Sequence, residues 1–206
     1  MSDHRVPRHH RPLLPGAGRF EALSADADPA ARSEAADRCA TLLVRGAHDT
    51  DDELVIARVV HLADTEGLDT LADLWSGSPA DSLAGCLWRL YLLRSWVHAD
   101  PRRVAREFDA GRRHAPVAEV VAGVAEPPGP AELKAMVDDV LSGIAGHDFA
   151  DVLQRAAAFA RVVATGRAAP GLTPADEASP AEVRRMLVLA EQLETAVELE
   201  RSGMLA

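Results

Sequence analysis

The chain predicts an all-α fold, an irregular multi-helix bundle whose last helix is set apart on a flexible linker. Three observations carry that reading. Apolar residues recur at i, i+3, i+4 and i+7 along most of the chain. Hydrophobic residues make up 48% of it, with Ala and Leu prominent, while aromatics reach only 4%, unlike the aromatic and β-branched bias of sheets. Asp-Pro and Ser-Pro pairs stand where the apolar runs begin, which is the pattern of an N-cap followed by proline at the first helical position.

Residues 1–18 show no period and read as a disordered N-terminal tail; Phe20 and Leu23 are the first anchors of a helical domain spanning 19–166. Asp28-Pro29 starts a helix on which Ala36, Cys39, Ala40, Leu43 and Val44 share a face, and Gly46 ends it. The acidic run Asp49, Asp51, Asp52, Glu53 precedes Leu54, Ile56, Val59 and Val60, a helix closed by Gly67. A shorter helix runs from Leu68 to Trp75.

Ser78-Pro79 then caps a helix to about Ala99 that is apolar on most sides, with Leu87, Trp88, Leu90, Tyr91, Leu92 and Trp96. A helix apolar nearly all round is a central one. Each large side chain it buries contributes about 1.5–3 kcal/mol, so this helix is expected to dominate the core. Within it, Arg89 and Arg94 interrupt the apolar surface and require partners or a cleft.

Asp100-Pro101 opens a helix to about Gly111, and the Ala and Gly content of Val117–Val124 favours helix over strand. Glu126-Pro127-Pro128-Gly129-Pro130 is a turn between helices. Helices follow over Ala131–Ala145 and Asp148–Thr165. Residues 167–179, rich in Ala, Pro and Gly, read as a flexible linker. Ser179-Pro180 caps the last helix, 180–202, with Val183, Met186, Leu187, Ala190, Leu193 and Val197 on one face. That face can dock on its own body, pair with a second copy or bind a partner. No fixed-period repeat stands out, and loosely HEAT-like helix pairs fit the pattern.

The formal net charge of −10 opposes bulk attraction to nucleic acid. The charge is uneven: residues 1–19 hold Arg5, Arg8, Arg11 and Arg19 against Asp3. Two cysteines, Cys39 and Cys86, have no metal-ligand neighbours, which fits a reducing compartment. The N-terminal residues lack the apolar stretch of a signal peptide, and Leu83–Val97 is too short and too charged to span a bilayer. The expected location is the cytoplasm, with no membrane partner.

The motifs carry little chemistry. The acidic run at 49–53 lacks the glycine and distal Glu of a calcium loop and reads as helix capping. His114 and the His147-Asp148 pair suggest an all-helical metal-dependent phosphohydrolase, but Asp148 stands where an N-cap belongs. Ser76-Gly77-Ser78 and Gly16-Ala17-Gly18 read as loops. No catalytic residue, metal ligand or cofactor site is assigned.

Two features point to binding. Arg102, Arg103 and Arg106, continued by Arg112 and Arg113, form a candidate surface for an acidic partner or phosphate, with internal pairing to Glu107 and Asp109 as the plainer reading. Trp75, Trp88 and Trp96 pose a pocket question, with core packing as the plainer reading there.

Leu14-Pro15-Gly16, Phe20-Glu21-Ala22-Leu23, Leu74-Trp75-Ser76, Leu87–Arg94 and Asp148-Phe149-Ala150 together resemble a family of short, uncharacterised actinobacterial helical proteins, many labelled RNA polymerase subunit beta or DNA-binding. The resemblance covers most of residues 13–166. It implies a transcription-linked or other intracellular role and carries over no catalytic residue.

The expectation is therefore a non-enzymatic intracellular interaction or regulatory protein with a protein partner, able to self-associate through its last helix. A nucleic-acid-binding protein acting through the Arg-rich face is the alternative, and the metal-dependent phosphohydrolase a second.

Overall fold

The computed structural model describes residues 28–46, 68–114, 129–142, 148–169 and 178–206, and these fold into seven helices with no strand among them. They are α1 (Pro29–Arg45), α2 (Leu68–Trp75), α3 (Leu83–Ala99), α4 (Pro101–Arg112), α5 (Pro130–Ser142), α6 (Phe149–Ala168) and α7 (Pro180–Arg201). The fold is all-α. The N-terminal tail, the acidic run at 49–53, the helix expected at 54–67, the Val117–Val124 run and residues 170–177 of the expected linker lie outside the described residues.

The helix starts follow local chemistry. Asp28 accepts from the Ala30 N–H at 3.1 Å, Asp100 from Arg103 at 3.0 Å, and Asp148 from Ala150 at 2.9 Å. Each satisfies a donor that the first turn leaves free. Gly46 ends α1 at φ 83°, a left-handed conformation that costs glycine little. Ser179 and Glu182 form a reciprocal capping box on α7.

One start differs from the sequence reading. The cap of α3 is Ser82, which accepts from the Gly85 N–H at 3.1 Å, and not Ser78. Residues 79–82 form a turn folded over the first turn of the helix, so close that a Cβ on Gly85 would lie 1.7 Å from the Pro79 carbonyl oxygen.

The deepest element is α6, and this corrects the expectation that the tryptophan helix dominates the core. Phe149, Leu153, Phe159, Val162 and Val163 are buried, and so are the alanines between them. Those small residues let α7 lie closely along α6, burying Met186, Ala190, Leu193, Ala196 and Val197. Arg161 pairs with Glu194 through two 2.6 Å contacts and Arg201 bonds Gln154, so the two helices run antiparallel. The apolar face of the last helix is spent inside the chain.

On the other side of α6 lies α4, with Phe108 stacked on Phe159 at 5.4 Å. The crossing is glycine against glycine. A Cβ on Gly166 would lie 1.7 Å from the Glu107 carbonyl oxygen, and one on Gly111 1.9 Å from that of Val162. Gly166 is therefore a packing residue within α6 and not its end. The helix continues to Ala168, and Arg167, which the sequence assigns to the linker, is in its buried last turn.

Helix α3 touches each of the other six. It buries Leu83, Leu87, Leu90, Leu93 and Val97 on one side, and leaves Trp88 and Trp96 half-buried and Leu92 40% exposed on the other. Leu205 packs into the core, and the Leu83 N–H donates to the backbone oxygen of Ala206 at 2.8 Å. Among the described residues no helix is long and apolar enough to cross a membrane.

Candidate functional site

The half-buried side of α3 forms one wall of a groove. Trp88, Leu92 and Trp96 are spaced four apart and so share a helical face, with Arg89 and Leu93 beside them. The opposite wall is α7, whose Glu182, Arg185, Met186, Leu189 and Gln192 fall at helical spacing. Arg103 from the first turn of α4 and Arg167 from the last turn of α6 close one end. The cavity measures about 480 Å³.

Beneath that end lies a buried charge cluster. Glu107 is fully buried; its Oε1 accepts from Arg103 Nε and its Oε2 from Arg167 Nε, both at 2.9 Å. The Arg167 guanidinium also sits 4.3 Å above the Trp96 ring centroid, a cation–π contact. One carboxylate thus serves two guanidiniums. Arg103 reaches toward Glu182 at 3.9 Å, and Arg185 is exposed. Three arginines meet two carboxylates at this end, and with Arg89 farther along the groove holds four, a cationic patch on a chain of net charge −10.

The two arginines within α3 diverge. Arg89 turns into the groove, donating from Nε to Gln192 Oε1 and from Nη1 to the Gly85 carbonyl oxygen, both at 2.7 Å. Burial lowers its pKa from the usual arginine value. Arg94 turns away to Asp138, with Nε 2.7 Å from Oδ1, an oxygen that also lies 3.0 Å from His98 Nε2. Burial raises the Asp138 pKa, but the Arg94 and His98 hydrogen bonds outweigh it and hold the carboxyl below its usual range. Arg94 is therefore a structural tie to α5, and Arg89 belongs to the groove.

The candidate arginine surface is divided among different partners. Arg103 enters the groove, while Arg102 and Arg106 are exposed. Arg112 Nε lies 2.9 Å from Asp109 Oδ1, and Arg113 Nη2 3.8 Å from Asp109 Oδ2. The internal pairs to Glu107 and Asp109 form, with the difference that Glu107 is buried and not on a solvated face. The tryptophans also separate: Trp75 is buried on α2, whereas Trp88 and Trp96 line the groove. Tyr91, one turn from Trp88, stacks on it at 5.6 Å.

The other motifs resolve into local structure. Asp148 is spent as the α6 cap, His114 Nδ1 lies 3.2 Å from the Ala110 carbonyl oxygen, and His147 lies outside the described residues. Ser76 donates to the Asp73 carbonyl oxygen at 2.9 Å. Among the described residues no group of three or more His, Cys, Asp or Glu could hold a metal ion. Burial pushes the thiols up, Cys39 to about 11 and Cys86 to about 12, which makes both poor nucleophiles.

Sequence reasoning missed Arg167, Glu107 and Arg185 as groove residues. A signal for the first two was present: Gly111 stands one turn after Glu107 and Gly166 immediately before Arg167, so each glycine that allows a close helix crossing has a charged neighbour on its own helix. Chemically, the groove offers indole and aliphatic walls with guanidinium donors at one end. Among the described residues that line it there is no Ser, Cys, His or Lys. The guanidiniums can donate to an anionic group, and the apolar walls can cover an apolar body attached to it. No family model, curated protein or solved structure matches the chain.

Proposed function

We propose that this chain is a non-enzymatic helical interaction protein that takes an acidic, apolar segment of a protein partner into the groove between α3 and α7. One observation carries the reading: four guanidiniums and two indoles converge on a single groove of an otherwise acidic chain. Guanidiniums and tryptophans are the side chains that contribute most at protein interfaces. Leu92 and Val188, 40% and 42% exposed, are two of the three exposed large hydrophobics among the described residues, and both line this groove. An apolar rim around charged anchors suits a protein segment. The setting we assign is the cytoplasm, in the regulatory and transcription-linked context that the resemblance of Leu87–Arg94 implies.

Site-specific photo-crosslinking tests this. A benzophenone side chain at Leu92 should capture a partner through a segment that combines acidic and bulky apolar residues. Capture should be lost on Arg185→Glu and absent with the same probe at Met204, which is 66% exposed and does not line the groove. Capture that survives Arg185→Glu, or that is equal from Met204, would refute the proposal.

A further inference from the structure

The groove does not end at Gln192. A second cavity of about 310 Å³ adjoins it, sharing Val188 and Gln192 as lining residues. Its other walls include Asp81, Glu191 and Thr195, all exposed. Arginines at 103, 167 and 185, in excess over Glu107 and Glu182, therefore mark one end of a continuous surface, and carboxylates at 81 and 191 with no arginine among their lining neighbours mark the other. The Arg89–Gln192 hydrogen bond stands at the point where the sign changes. Along α7 the surface runs from Glu182 to Thr195, which at 1.5 Å per residue is about 20 Å.

Resting on the groove as a partner surface, we infer that its occupant is a charge-polarised amphipathic helix, acidic at one end and basic at the other, with bulky apolar residues facing Trp88 and Trp96. A compact anion would use only the arginine end and leave the carboxylate end unmatched. A uniformly acidic segment would place like charges over Asp81 and Glu191, which is unfavourable at contact distance. The chain's own residues 1–19, with four arginines against one aspartate, cannot satisfy the cationic end. An apolar stripe at i, i+3, i+4 and i+7 flanked by opposite charges matches the length, the walls and the two ends together.

The test uses the full chain and three fluorescently labelled synthetic peptides of about 14 residues. All carry the same leucine stripe; the other positions are Glu then Lys, all Glu, or all Lys. Fluorescence polarisation should show the polarised peptide bound at least about tenfold more tightly than either uniform one. In the double variant Asp81→Lys/Glu191→Lys, whose positions are exposed, the all-Glu peptide should become the preferred ligand. If the wild-type chain prefers the all-Glu peptide, or if the preference is the same in the double variant, the polarity inference falls while the groove reading stands. If none of the three peptides binds, the inference also falls, and the crosslinking at Leu92 then decides the groove reading separately.

Discussion

Arg167 Nε lies 2.9 Å from Glu107 Oε2, joining the last turn of α6 to the middle of α4, with the two side chains 6% and 0% exposed. With Arg103 on the other carboxylate oxygen, the cluster fixes how α4 and α6 meet and holds a guanidinium against Trp96. Attraction between buried charges is largely offset by the cost of removing them from water, so the pair's net contribution is small while both partners are present. Removing one partner leaves an uncompensated charge.

Glu107→Ala should therefore destabilise the chain by about 3–5 kcal/mol, read as a shift of the urea midpoint. The triple variant Arg103→Met/Glu107→Leu/Arg167→Met replaces the cluster with apolar groups of similar size. It should recover stability to within about 1 kcal/mol of the wild type or better, yet lose the preference of the groove for acidic ligands. A triple variant as unstable as Glu107→Ala would mean that the charges themselves hold the fold.

The glycine crossing gives a second prediction. Alanine is the better helix former by about 1 kcal/mol, so Gly166→Ala should stabilise an isolated α6. In the folded chain the added methyl would lie 1.7 Å from the Glu107 carbonyl oxygen. Backbone cannot rotate aside, so α4 must move off, at an overpacking cost of about 1–3 kcal/mol or more. The expected outcome is net destabilisation in urea, together with weaker ligand binding because Arg167 shifts with its helix. Neutral or increased stability would show that the crossing is loose.

These two sites also show where the sequence was readable. Asp28, Asp100, Asp148 and Ser179 cap helices because the N–H groups they bond belong to residues two or three along the chain, and such contacts can be read locally. Gly166 was not readable in this way. Its reason is Glu107 on another helix, and without that neighbour a glycine late in a periodic run looks like a helix end. The groove was half legible for the same cause. Trp88, Arg89 and Trp96 share a face of one helix, but Arg167 and Glu107 are 60 residues apart and meet only through the α4–α6 crossing. The apolar all-round pattern of α3 marked a helix that touches all six others, but pattern does not distinguish a side chain facing a core from one facing a groove.

The thiols offer a probe of global opening. A disulfide reagent attacks through the thiolate, and pKa values pushed to about 11 for Cys39 and about 12 for Cys86 leave at most about one part in a thousand ionised at pH 8. Both side chains are also buried. Labelling in native buffer should be negligible, and its rate should rise with urea in step with unfolding followed by circular dichroism. Rapid stoichiometric labelling of either cysteine without denaturant would show that α1 or α3 opens locally.

The capping box on α7 predicts the acid response of that helix. The Ser179 N–H and Oγ both donate to Glu182 Oε2 at 2.8 Å, and these bonds, the backbone one foremost, hold the Glu182 carboxyl below its usual range. A depressed folded pKa gives stability that is fully present above the unfolded pKa and is lost as pH falls through the folded value. The melting temperature of the wild type should therefore exceed that of Glu182→Gln at neutral pH. The gap should close on acidification, as the wild-type carboxyl becomes protonated and resembles the neutral amide. Because Glu182 also faces Arg103 at 3.9 Å, part of the gap should shrink with added salt, whereas the part due to the short cap bonds should remain. A gap that is constant across the acid range would assign the effect of Glu182→Gln to side-chain shape and not to the ionised cap.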